Sequence, residues 1–158
     1  MSFAVFMGQG ASAQDGKGRF ALPALFRNPL QQQVSEQGSA LVRAIHGCDY
    51  LTIFGDLQAP EFLKKVENQQ NENEEEALAD FWSGIQPISV DAGGRFALPA
   101  FHAQYAGITD NMFIVGAGNQ IQLWDLDRLK ASNPKNPIVA AALAQALAER
   151  DAKRGGKA

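Results

Sequence analysis

Asp15-Gly16-Lys17-Gly18-Arg19-Phe20-Ala21-Leu22-Pro23-Ala24 returns in the same chain as Asp91-Ala92-Gly93-Gly94-Arg95-Phe96-Ala97-Leu98-Pro99-Ala100, at a constant offset of 76. The run Arg-Phe-Ala-Leu-Pro-Ala is identical in both copies, as expected when a structural unit has been duplicated within a chain. A duplicated unit presents its surface chemistry twice, and paired sites suit a partner that itself repeats. The repeated loop is therefore the first place to look for function.

Outward from the motif, the first copy continues into an apolar stretch at residues 41–45, a turn around Gly47, and Tyr50-Leu51-Thr52-Ile53-Phe54. The second continues into residues 112–115, a turn at 116–119, and Ile121-Gln122-Leu123-Trp124-Asp125. Leu51 then corresponds to Ile121 at an offset of 70, so the first copy holds six more residues, for which the polar run at 31–38 offers a place. Residues 87–91 and 95–98 alternate with the strand period, Ile88, Val90, Phe96 and Leu98 being apolar, and Ala92-Gly93-Gly94 reads as a hairpin turn. Pro99 ends the strand and can open a helix at its first position. The unit is thus strand, glycine turn, strand, short helix, strand, strand, and the fold class is α+β, mostly β.

At 158 residues and 46% hydrophobic, the chain can bury one core of ordinary size, whereas either half alone would be marginal. No apolar stretch reaches the ~18 residues of a membrane helix, and the N-terminus lacks the marks of a signal peptide. A single cysteine, Cys48, excludes an internal disulfide and fits a reducing compartment, so the expected location is cytoplasmic and nucleoid-associated. The net charge of −3 argues against nucleic acid when taken alone, yet the charges are uneven. Residues 61–80 hold Glu61, Glu67, Glu72, Glu74, Glu75, Glu76 and Asp80 against Lys64 and Lys65; around the first motif Lys17, Arg19 and Arg27 stand against Asp15.

Residues 60–66 read as a helix with Phe62, Leu63 and Val66 on one face, followed by a polar break at 68–73. A second helix is expected over 74–83, its acids in the first turn and Gly84 in the capping position. Asn136-Pro137 caps an alanine-rich helix ending before Gly155-Gly156, with Leu143 and Leu147 one turn apart; residues 153–158 are expected to be disordered. Phe81, Trp82 and Trp124 are assigned to the core, an exposed Trp suiting a subunit interface instead.

The loop chemistry has two readings. A single copy would favour an ordinary hairpin whose aspartate starts the turn and whose arginine is solvated; the duplication and the family pattern favour contact with an anionic polymer. Glycines allow a tight turn and close approach, Lys17 supplies a point charge for phosphate, and Arg19 offers a planar donor fork for phosphate or a guanine edge. Asp15, four positions earlier, is placed to hold that guanidinium. In the second copy Lys17 becomes Gly93 and Arg27 falls opposite Ala103, so Lys17 and Arg19 are the main candidate contacts, Arg95 is secondary, and Arg27 is a phosphate contact or a plain helix-surface charge. Asp15, Gly18, Asp91 and Gly94 are assigned to loop orientation. His46-Gly47-Cys48-Asp49 falls short of a zinc ligand set, since the other histidine is the distant His102. The Gly-Lys-Gly triplet lacks phosphate-loop spacing. No nucleophile, base and orienting group can be assembled, so no catalytic residue, no metal, no cofactor and no small-molecule substrate are expected.

The motif Asp-x-x-Gly-Arg-(apolar)-x-(apolar)-Pro, occurring twice and followed by Ile121-Gln122-Leu123-Trp124-Asp125, resembles the MraZ family of bacterial transcriptional regulators, relatives of the AbrB-type swapped-hairpin barrels. The resemblance covers residues 6–131. It implies two tandem pseudo-symmetric β-barrel half-units with connecting helices; the chain is accordingly divided as 6–56, a helical acidic insert 57–84, 85–131, and a C-terminal helix and tail 132–158 that lies outside the resemblance, all within one domain. It further implies a sequence-specific regulator of the division and cell-wall gene cluster, a homo-oligomer closed into a ring whose loops face repeated boxes on double-stranded DNA. The alternative is an antitoxin-type barrel module that engages a protein partner through its C-terminal segment; neither an enzyme nor a membrane protein is expected.

Overall fold

The computed structural model describes residues 5–67 and 73–155. The first unit runs β1 (Gln9–Ala13), the motif loop, β2 (Phe20–Ala21), α1 (Ala24–Gln32), β3 (Ala40–Ala44), β4 (Leu51–Gly55), α2 (Ala59–Glu67) and α3 (Glu74–Ser83). The second repeats that order as β5 (Ile85–Ile88), the second loop, β6 (Arg95–Phe96), α4 (Ala100–Ala106), β7 (Asn111–Gly116), β8 (Ile121–Asp125), α5 (Leu126–Ala131) and α6 (Pro137–Gly155). The fold is α+β, centred on a six-stranded antiparallel sheet. Helices α1 and α4 begin one residue later than the sequence suggests, with Pro23 and Pro99 at the N-cap in an extended conformation (ψ 147° and 143°).

The two units exchange strands. The main antiparallel sheet has the order β1-β7-β8-β4-β3-β5, while β2 and β6 form a separate pair. The arms of each glycine loop therefore diverge instead of continuing as a hairpin: β1 pairs with β7 of the other unit, β5 with β3, and β2 with β6. Phe20 and Phe96 of the β2–β6 pair and Ile88 of β5 are buried, whereas β1 has no buried residue and is held in the sheet by its backbone pairing with β7; a two-stranded ribbon alone in water would be marginal. An approximate twofold relates the halves, since Phe20 pairs with its own counterpart Phe96, and Thr52 with its counterpart Gln122. Ala11 faces Phe113 as Pro87 faces Leu41, which fixes the β3-to-β7 offset at 72. Of the six extra residues in the first unit, four thus precede β3 and two lie in the turn around Gly47.

Alternation along the strands decides what each face covers. Ala40, Val42, Leu51, Ile53, Met112, Ile114, Ile121 and Leu123 turn inward to a core that also takes Phe6, Phe20, Phe26 and Phe96. The outward residues need cover of their own. Leu41 and Phe54 pack with Ala59, Phe62 and Phe81 of α2 and α3; the corresponding Phe113 packs with Leu126 and Leu129 of α5 and Leu143 of α6. The acidic insert and the C-terminal helix thus do the same job in the two halves, although their sequences share no motif.

Helix ends follow local chemistry. Asn73 caps α3 by accepting from the backbone N–H groups of Glu75 and Glu76, and Asn136 Oδ1 accepts from Ile138 N–H at 2.9 Å. Gly84 closes α3 with an ordinary right-handed φ of −85°; it is glycine because a Cβ there would strike the carbonyl of Ala44. The last helix continues through Lys153 and Arg154 to Gly155, so these residues are helical where disorder was expected. Most of the 68–73 polar break lies outside the described residues. Trp82 is 47% exposed and does not belong to the core, unlike its neighbour Phe81.

Candidate nucleic-acid interface

Each motif loop is built by its aspartate. Asp15 Oδ1 accepts from the backbone N–H groups of Lys17 (2.8 Å) and Arg19 (2.9 Å), and Asp91 Oδ1 accepts from Gly93 (2.9 Å) and Arg95 (2.8 Å). Backbone bonds close both turns in the same pattern: Asp15 N–H to Arg19 O, Gly18 N–H to Asp15 O, Asp91 N–H to Arg95 O and Gly94 N–H to Asp91 O. Gly18 and Gly94 both have φ of +79°, the left-handed position of a three-residue loop that ends in a bulge. The aspartates thus hold the backbone first and the arginine side chains second.

These bonds also set the charge. Asp15 is held below the usual carboxylate range by the backbone N–H groups of Arg19 and Lys17 and by the Arg19 charge; burial opposes the shift. Asp91 is lowered chiefly by the N–H of Arg95, against a smaller cost of burial, with Gly93, Arg95 and Arg19 adding to the effect. Both carboxylates face solvent fully ionised at neutral pH, their charge partly satisfied by fixed donors.

The strand exchange brings the two loops side by side. Arg19 Nε donates to Asp15 Oδ2 at 3.3 Å, and its Nη1 lies 4.0 Å from Asp91 Oδ2. Arg95 is exposed, and its guanidinium folds over Gly93, where a Cβ would sit 2.9 Å from Nη1. Arg27 belongs to the first unit in sequence but to the second loop in space: its Nε donates to Leu22 O at 3.0 Å and sits against Gly94. The charge imbalance between the copies therefore narrows, with Lys17 and Arg19 at one loop and Arg95 and Arg27 at the other. Sequence order hides this, because Arg27 is four residues from Pro23 and far in number from Gly94.

The remaining polar candidates serve structure. His46 and Cys48 lie in the β3–β4 turn, whereas His102 is buried with Nε2 2.9 Å from Gly84 O, so the two histidines are in different places. Trp124 is half-buried, stacks on Tyr50 at 4.7 Å and donates to Gln122 Oε1. The glutamates of α3 ride on a helix that covers the outer face of the sheet, apart from the loops. Among the described residues, no helix is long and apolar enough to cross a membrane.

Internal duplication, exchanged strands and two aspartate-braced basic loops place the protein in a class of small duplicated α+β proteins built on one shared sheet. No protein-family model matches the chain. Among curated proteins it is similar to the transcriptional regulator MraZ of Oleidesulfovibrio alaskensis, 32% identical over 132 residues that cover 80% of this chain and 84% of that protein. It is likewise similar to the MraZ regulator of Bifidobacterium longum, 31% identical over 113 residues and 72% of each chain. With that of Bacteroides fragilis the identity is 26% over 147 residues, 91% of this chain and 92% of the other. The chain belongs to the MraZ family of transcriptional regulators. Its relatives bear the names of regulators and not of enzymes.

Proposed function

We propose that this protein is a sequence-specific DNA-binding regulator that acts as a homo-oligomeric ring on repeated promoter boxes, its own promoter and the division and cell-wall gene cluster being its targets. The observation that carries this reading is the convergence of Lys17, Arg19, Arg27 and Arg95 on two adjacent loops whose backbones are fixed by Asp15 and Asp91. Preorganised loops lose little entropy on contact, Lys17 and Arg27 suit phosphates, and Arg19 and Arg95 suit phosphate or base edges. The acidic chain total works against nonspecific attraction, so several subunits along one duplex are needed to multiply weak contacts. Such a protein works in the cytoplasm, on the nucleoid.

A partner-binding module would need a free C-terminal helix, but Leu143, Ala146 and Leu147 of α6 are packed against the chain's own Phe113, Leu126 and Leu129. A gel shift on the upstream DNA of the protein's own gene, with scrambled DNA as control, tests the reading. Specific retention that falls steeply with salt is expected, because phosphate contacts release counterions. Equal retention of both probes would remove the claim of specificity.

A further inference from the structure

A cleft of about 520 Å³ opens between the C-terminal half of α1 and the segment running from β5 into the second loop. That size lies within the ~300–1,000 Å³ usual for small-ligand sites. Its walls are aliphatic, from Leu30, Val34, Ile88 and Val90, and Arg27 closes the end beside the loop. The bond from Arg27 Nε to Leu22 O fixes the guanidinium in place; among the described residues its other N–H groups have no partner. The one acid on the rim, Asp91, has Oδ1 engaged by two backbone N–H groups and Oδ2 turned toward Arg19.

The duplicated half supplies an internal control. At the offset of 76, Arg27 and Leu30 correspond to Ala103 and Ala106, and Ile88 and Val90 to Ser12 and Gln14. Gln31 corresponds to Gly107, against which the Arg128 guanidinium lies while donating to Tyr105 O at 2.9 Å. The second half therefore has neither the aliphatic walls nor a cation at the position of Arg27, and its Arg128 comes from a different element. Four extra residues before β3 bring Val34 to the wall of the first-half cleft and leave it without a counterpart.

We propose that this cleft binds a small amphipathic anion, a carboxylate on an aliphatic tail, with the tail against Leu30, Val34, Ile88 and Val90 and the head on Arg27. Occupancy engages Arg27 and braces residues 90–92, which lead into the second loop, so the ligand alters how that loop meets DNA. The consequence for DNA rests on the proposed function; the binding does not.

The test uses the full chain without DNA, with decanoate as the probe, measured by displacement of anilinonaphthalene sulfonate and by calorimetry. Saturable binding of one decanoate per chain is expected, with decyltrimethylammonium and inorganic phosphate failing to compete. Arg27→Gln should weaken binding by about tenfold or more, the size of one charge-assisted hydrogen bond. Ser89→Phe, at an exposed position on the rim, should block the cleft without touching the core. No saturable binding, equal binding of the cationic amphiphile, competition by phosphate alone, or wild-type affinity in Ser89→Phe would each overturn the site. DNA affinity should then change on adding decanoate to the wild type but not to Ser89→Phe; an unchanged affinity would overturn the link to the loop.

Discussion

Arg19 of the first loop reaches Asp91 of the second, Nη1 to Oδ2, at 4.0 Å, while no ion pair runs the other way from Arg95 to Asp15 among the described residues. A near-identical sequence repeat has therefore produced an asymmetric site. Arg19 is held by two carboxylates at once and is half-buried, whereas Arg95 lies over the bare backbone of Gly93. The loops differ at two positions, Gly16 against Ala92 and Lys17 against Gly93, and only the second loop has Arg27 packed on it.

This asymmetry predicts unequal roles. Arg19→Ala should weaken specific binding more than Arg95→Ala, by the ~1–3 kcal/mol that an arginine on a base edge typically contributes. Fluorescence anisotropy on operator and scrambled DNA gives both numbers, and equal, negligible effects would reject the assignment.

Lys17→Ala is expected to behave differently. A flexible point charge on phosphate carries no sequence information, so affinity should fall on all sequences alike and the slope of log K against log salt should flatten by about one. A decrease confined to the operator would reassign Lys17 to base reading.

The two loop glycines should separate by environment. Alanine at either must adopt a left-handed φ, at roughly 1–2 kcal/mol. At Gly18 the new Cβ meets little beyond Gln14 Nε2 at 3.8 Å, but at Gly94 it meets Arg27 and the Leu22 carbonyl. Gly94→Ala should therefore lower the melting temperature more than Gly18→Ala, and equal shifts would contradict the close packing of Arg27.

Acid should loosen the loops. Because the folded-state pKa values of Asp15 and Asp91 are lowered, their contribution is complete above the unfolded value of ~3.9 and is lost as pH falls below it through the folded values. Amide shifts of Lys17 and Gly93, followed by NMR as the pH is lowered from neutral, should hold steady down to ~3.9 and titrate below it. An Asp15→Asn, Asp91→Asn double variant should show no such titration; an identical response in the variant would place the acid effect elsewhere.

Assembly should be required for tight binding. Leu25 and Phe101 occupy corresponding positions on α1 and α4 and are 54% and 59% exposed, a duplicated apolar surface suited to subunit contacts. Light scattering should give a multiple of the chain mass, reduced in Phe101→Glu. Affinity should rise across DNA carrying one, two and three boxes spaced about one helical turn, roughly 10 base pairs. A monomer binding one box as tightly as three would exclude the mechanism.

Sequence by itself determined the features whose physics is local. The Asp-x-x-Gly-Arg loops close through bonds spanning four residues or fewer, and the asparagine caps of α3 and α6 act within three, so residue order encodes them directly. The duplication was legible because identical local chemistry is repeated. Tertiary structure alone decided which strands pair, since β1 meets β7 across about a hundred residues, and β1, a strand with no buried residue, carries no local signal of that partner. The same exchange carried Arg27 to the second loop and joined Arg19 to Asp91. It also gave the acidic insert and the C-terminal helix equivalent duties over Leu41 and Phe113. None of these has a local signature, because hydrophobic cover can be supplied by any amphipathic helix that reaches the face to be buried.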